Sequence, residues 1–160
     1  MAIDQFIKIG NLKGESKDKT HKDEIDVQSW SWGVSNSGSA QVGGGAGAGK
    51  CNVQDLSFTK YIDKATPDLM LACCNGKHYD TATLVVRKAG TTPLEYLTLT
   101  LTEVMVTALT TGGSGGEDRL TENVTLNFAK VKVQYKEQTE KGAVGDKPEM
   151  GWDVAANAKQ

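Results

Sequence analysis

The sequence predicts a mainly β fold, a barrel or sandwich of antiparallel strands with one short helix beside it. Three observations carry this reading. Residues 94–109 and 121–135 are long stretches in which apolar and polar residues alternate, the period of a half-buried strand. Nine of the 18 glycines fall in two clusters, 43–49 and 112–116, so glycine marks connections rather than strand interiors. Only residues 66–76 break the strand pattern.

The elements follow in order. Phe6-Ile7-Lys8-Ile9 opens the domain, and residues 13–24 are a charge run read as a solvated loop. Residues 25–34 form a second strand. After the first glycine cluster, residues 51–58 alternate again as a strand. Residues 66–76 read as a helix: Thr66 caps it, Pro67 suits the first helical position, Asp68 favours the positive dipole end, and Gly76 supplies the left-handed terminus. Its apolar residues Leu69, Met70, Cys73 and Cys74 are expected to pack on a sheet. Residues 82–88 are β-branched and short, Ala89-Gly90 turns the chain, and the two long strands complete the fold.

Strand parity gives a finer picture. Trp30, Trp32 and Val34 share one face, whereas Ile25, Val27, Ser29 and Ser31 share the other. In residues 121–135 the apolar set Val124, Leu126, Phe128 gives way to Val131, Val133, Tyr135. That flip near Ala129 predicts a bulge or a strand crossing between sheets. Apolar residues on both faces predict burial by a partner subunit, and hence self-association.

Composition excludes several functions. A 160-residue chain is read as one domain spanning residues 1–160. A net charge of −2 provides no electrostatic footprint for nucleic acid or an anionic membrane. No apolar run approaches the roughly 20 residues of a membrane span. The start, Met1-Ala2-Ile3-Asp4-Gln5-Phe6, lacks the features of a secretory signal, which predicts folding in the cytoplasm. Three cysteines, two of them adjacent, argue against a disulfide framework, and with only His21 and His78 no metal site is expected.

The same residues argue against an enzyme. Gly44-Gly45-Ala46-Gly47-Ala48-Gly49-Lys50 fits the spacing GxxxxGK of a phosphate-binding loop. That chemistry needs a helix starting at the loop and a Ser or Thr after the lysine to reach Mg²⁺. Here Cys51 follows, then a strand. His21 and His78 are read as surface residues, so no convergent acid, base or nucleophile is present, and no catalytic residue or cofactor is expected. Asn123-Val124-Thr125 matches a glycosylation acceptor but lies inside a strand.

Several segments together carry a resemblance to a known family: Phe6-Ile7-Lys8-Ile9, Gly14-Glu15-Ser16, Ser29-Trp30-Ser31-Trp32-Gly33, residues 55–64, Arg87-Lys88-Ala89-Gly90, residues 93–97 and residues 121–128. They resemble the haemolysin-coregulated protein (Hcp) family of type VI secretion systems, over Met1 to about Trp152, with residues 153–160 lacking an obvious counterpart. The resemblance implies a two-sheet β-barrel flanked by a short α-helix. It further implies homohexameric rings that stack head to tail into a secreted tube, capped by a VgrG-type spike, wrapped by a contractile sheath, and carrying small effector proteins in the lumen. On that pattern Ser31, with Ser29, faces the lumen. Residues 35–50, including Gly43, Gly44, Gly45, Gly47, Gly49 and Lys50, correspond to the family's extended loop between neighbouring rings. The competing reading is a stand-alone carbohydrate- or peptide-binding β-domain with Trp30 and Trp32 as a stacking platform.

Overall fold

A computed structural model describes residues 2–38, 50–90 and 93–160. Two long antiparallel strands, β8 (Leu94–Thr111) and β9 (Thr121–Tyr135), form its axis. Their buried residues change face together. On β8, Leu99 and Leu101 give way to Val104 and Val106; on β9, Leu126 and Phe128 give way to Val131. Glu103, between the pairs Thr102–Lys130 and Val104–Phe128, lies in the left-handed region at φ 57°. One left-handed residue turns the side-chain alternation without adding a residue, so the ladder keeps its register there; its register shift lies further on, between Val106 and Ala108. No crossing between sheets occurs near Ala129 among the described residues: β9 stays in one sheet and changes partner there, residues 121–126 pairing with β6 (Leu56–Tyr61) and residues 130–134 with β10 (Glu149–Asp153).

The remaining strands extend this pair. β7 (His78–Lys88) lies between β8 and β1 (Ile3–Ile9). Among the described residues the sheet has nine strands, in the order β11 (Ala158–Lys159)-β10-β9-β8-β7-β1-β2 (Ile25–Asp26), with β6 also on β9 and β3 (Ser29–Ser31) on β6. Among the described residues this pairing does not close into a barrel. The tail is part of the sheet, because β11 (Ala158–Lys159) pairs with β10. The core gathers Ile7, Ile9, Leu56, Phe58, Leu84, Leu99, Leu101, Val104, Val124 and Leu126.

The segment read as one strand over 25–34 is three pieces: β2 (Ile25–Asp26), β3 and β4 (Val34–Ser35). The chain changes partner midway. Val27 N–H donates to the Gln5 carbonyl on β1, and the next residue, Gln28, donates to Thr59 on β6. The change of partner resets the parity, so Ile25 and Val27 are buried while Trp30 and Trp32 also pack against the core from the other register. Residues 51–58 likewise split, into β5 (Asn52–Val53) and β6, and β5 pairs with β4 as a two-stranded ladder.

α1 (Thr66–Asn75) forms where expected, with Pro67 in its first turn and Gly76 at φ 70° ending it. Two details differ. The N-cap is Ala65, without a side-chain cap, because the Thr66 hydroxyl is taken: it accepts from the Asp63 N–H and donates to Glu122. The buried face is Leu69 and Ala72, with Cys73 half-buried, while Met70 and Cys74 are exposed. Positions 69, 72 and 73 form an i, i+3, i+4 stripe, and small Ala72 allows close approach to the sheet.

Residues 13–24 are not a solvated loop. They fold back on β1, β7 and β8, and His21 is only 7% exposed. Gly14 N–H donates to Asp23 and Ser16 N–H to Glu24, and a methyl at Gly14 would meet the Glu24 carbonyl oxygen at 2.5 Å, so only glycine fits. Arg87, buried on β7, bonds Asp18, Asp4 and Thr20.

Candidate functional site

β3 sets the geometry of the two serines singled out in the sequence. Among the described residues it has one partner, β6, in the register Ser29–Thr59, Trp30–Phe58, Ser31–Ser57. Side chains directly opposite in an antiparallel pair share a face. Trp30 and Phe58 therefore turn inward together, and Ser29 and Ser31 turn outward, where both are exposed. The Trp30 Nε1–H donates to Gln5 at 2.8 Å, which fixes the indole against the core.

β6 carries the outward face onto β9 through the pairs Ser57–Thr125 and Thr59–Asn123. Two polar rows result: Ser29, Thr59, Asn123 and Ser31, Ser57, Thr125. They are bonded across the strands, with Thr59 Oγ1 donating to Asn123 Oδ1 at 2.6 Å and the Ser57 and Thr125 hydroxyls 3.3 Å apart. Beyond the second row, Asn127 on β9 donates to the Asp55 carboxylate. Ser57 and Thr59 carry no motif in the sequence, and Asn123 and Thr125 stand out there only as a glycosylation-acceptor match, although the alternation that places Phe58, Val124 and Leu126 inward puts all four outward. The rows offer neutral hydroxyl and amide groups, and no general base or activated nucleophile stands among them.

On the opposite face of the same strands the charge is buried. Lys60 and Glu122 are fully buried and paired at 2.5 Å, with Asp63 at 2.8 Å from the ammonium and Thr66 bonded to both. Glu122 Oε2 has no partner among the described residues. The network joins β6, β9 and the start of α1, and so sets the platform for the outward rows.

Of the loop residues, Gly43, Gly44, Gly45, Gly47 and Gly49 lie outside the described residues. Lys50 is described and exposed, at the foot of the β4–β5 ladder that carries the loop. Cys51 is followed by β5 rather than by a helix. Cys51 and Cys73 are half-buried and Cys74 exposed, all as free thiols. Trp30 and Trp32 pack on the core, which leaves no open aromatic platform between them. Among the described residues, no group of three or more His, Cys, Asp or Glu is placed to hold a metal. Among those residues, too, no helix is long and apolar enough to cross a membrane.

A β protein with one short helix and two outward rows of neutral side chains defines a structural or binding class. Comparison with known proteins gives the family. A family model described as "Type VI secretion system effector, Hcp" matches residues 6–135. The chain is 66% identical to "Protein hcp1" of Pseudomonas aeruginosa over 161 residues, covering 99% of each. A structure titled "Structure of a type six secretion system protein" superposes with a TM-score of 0.93 at 30% identity, over 99% of this chain and 100% of that one. Hcp1 from Salmonella typhimurium superposes with a TM-score of 0.84 at 40% identity, over the full length of both. The chain belongs to the Hcp family of type VI secretion proteins, and its class is a secreted tube protein rather than an enzyme. The Pseudomonas relative and the two structures, unlike the family model, also extend over the tail, residues 153–160, where the sequence alone offers no obvious counterpart.

Proposed function

We propose that this chain, as one domain over residues 1–160, is the subunit of a type VI secretion inner tube. Homohexameric rings stack head to tail, with small effector proteins in the lumen, a VgrG-type spike at the tip and a contractile sheath outside. The subunit resides in the cytoplasm before firing and leaves with the tube. The observation that carries this reading is the pair of bonded, uncharged rows in which Ser29 and Ser31 stand exposed. A lumen through which varied polypeptides pass is served by neutral hydroxyls, which bond to backbone without selecting for charge. The hydrogen bonds of Val27 to β1 and Gln28 to β6 support a barrel in which residues 25–31 bridge the two sheet edges. The β4–β5 ladder supports an extended loop, residues 35–50, reaching a neighbouring ring.

Light scattering on the purified protein is expected to give the mass of a hexamer at micromolar concentration, and negative-stain microscopy to show rings; a monomer overturns the proposal. Deleting residues 43–49 should spare the ring and impair stacking, and dissociation of the ring would move that loop to the lateral interface. Ser31→Arg should leave the ring intact and lower effector capture by about tenfold or more, the scale of one lost hydrogen bond plus a buried charge. Unchanged capture would remove Ser31 from the cargo surface.

A further inference from the structure

We infer that residues 13–24 form a proton-operated clasp over β1, β7 and the start of β8, closed while His21 is an imidazolium bridging Glu24 and Glu95 and open once it loses that proton. The geometry demands the charged ring. His21 Nδ1 is 3.0 Å from Glu24 Oε2, and Nε2 is 2.6 Å from Glu95 Oε1. A neutral imidazole has one N–H and one lone pair, so it would aim a lone pair at one of two carboxylates. Only the imidazolium donates to both. The ring is buried and stacked on Phe6, with centroids 4.6 Å apart and planes 13° from parallel; the Glu24 contact lies inside the fold and the Glu95 contact at its edge, where that side chain is 36% exposed.

The charges around the ring are consistent with this. Glu24 and Asp18 come from the segment itself, Glu95 from β8, Arg87 from β7 and Asp4 from β1. The guanidinium, 5.0 Å from the Phe6 ring, is already held by Asp18 and Asp4, which leaves Glu24 and Glu95 to the imidazole. Burial pushes the His21 pKa down, but the hydrogen bonds it donates to Glu95 and then Glu24 outweigh it and hold the value above the ordinary 6.5. A raised value gives stability that is full below about pH 6.5 and is lost as pH rises through the folded value.

The second arm responds in the opposite direction. The Arg87 hydrogen bond holds the Asp18 carboxyl well below the usual range, despite the opposing effect of burial. Its contribution is present above the usual carboxylate range and is lost only in strong acid. The clasp is therefore tolerant of mild acid and opens on the alkaline side, uncovering Phe6.

Hydrogen exchange by mass spectrometry on the full-length protein tests this between about pH 6 and 9, the range a perturbed histidine spans. After correction for the intrinsic exchange rate, protection of the amides in residues 13–24 should fall roughly ten- to a hundredfold, the scale of one charge-assisted hydrogen bond. The fall should coincide with His21 ionisation, read from exchange of its ring C2 proton. His21→Phe, which keeps a ring against Phe6, should remove the pH dependence. Protection that stays flat in the unsubstituted protein, or that falls identically in His21→Phe, overturns the clasp. Should His21→Phe fail to fold, Glu95→Gln is expected to move both midpoints to lower pH, and unmoved midpoints overturn it equally.

Discussion

Replacing Lys60 with methionine is expected to destabilise the protein by roughly 3–5 kcal/mol, the usual cost of removing one partner from a buried ion pair. Lys60 and Glu122 are both 0% exposed in their side chains and sit opposite each other in the β6–β9 ladder. Methionine matches the lysine stem in volume, so packing changes little and the charge accounts for the effect. Without the ammonium, Glu122 keeps one donor, the Thr66 hydroxyl, and its Oε2 already lacks a partner among the described residues. The doubly substituted Lys60→Met/Glu122→Leu protein should recover part of the loss, because an apolar pair in the same space carries no desolvation cost, while Asp63 still lacks its ammonium partner. Urea unfolding at one fixed protomer concentration measures both, since assembly adds its own stabilisation by mass action. A single-variant loss below about 1 kcal/mol would show that water reaches the site.

The pair also explains why this register is used. A one-residue slip of β6 on β9 would move Leu56 and Phe58 outward and turn the Ser57 and Thr59 hydroxyls into the core. Lys60 and Glu122 add a second condition, for each meets its countercharge only in this alignment. Because Thr66 bonds both, the first turn of α1 is tied to the same register.

The parts of this arrangement legible in the sequence are those that local periodicity determines. The alternation of β8 and β9, the Pro67 and Gly76 boundaries of α1, and the opposition of Trp30 to Ser31 all follow from period or turn chemistry within a few residues. Lys60 was legible in principle, since Leu56, Phe58 and Lys60 share one parity, as do Glu122, Val124 and Leu126. His21 was not. Its burial depends on Phe6 and on Glu95, the latter 74 residues away, and a charge run carries no trace of distant partners. The break at Val27–Gln28 was hidden for a similar reason: a strand that changes partner resets its parity through its neighbours, not its own sequence.

Phe58→Ala is expected to cost about 3–5 kcal/mol, comparable to the loss from Lys60→Met. Phe58 is 2% exposed and lies between Trp30 on β3 and Val124 on β9 in the cross-strand register. Truncation removes the transfer free energy of the ring and leaves a cavity in a wall of paired strands, where collapse is restricted. Phe58→Leu, which fills much of the same volume, should cost less than about 1.5 kcal/mol. The alanine variant should have a second consequence that the leucine variant lacks. β3 is three residues long and among the described residues pairs only with β6, so Trp30 against Phe58 is a large part of what holds it. Loss of that contact should raise amide exchange in residues 29–31 and weaken near-ultraviolet circular dichroism from the indoles, and effector capture should fall with Ser31 untouched. If the alanine variant loses stability while exchange in residues 29–31 stays as slow as before, β3 is held by its hydrogen bonds to β6, and the orientation of Ser31 does not depend on the core beneath it.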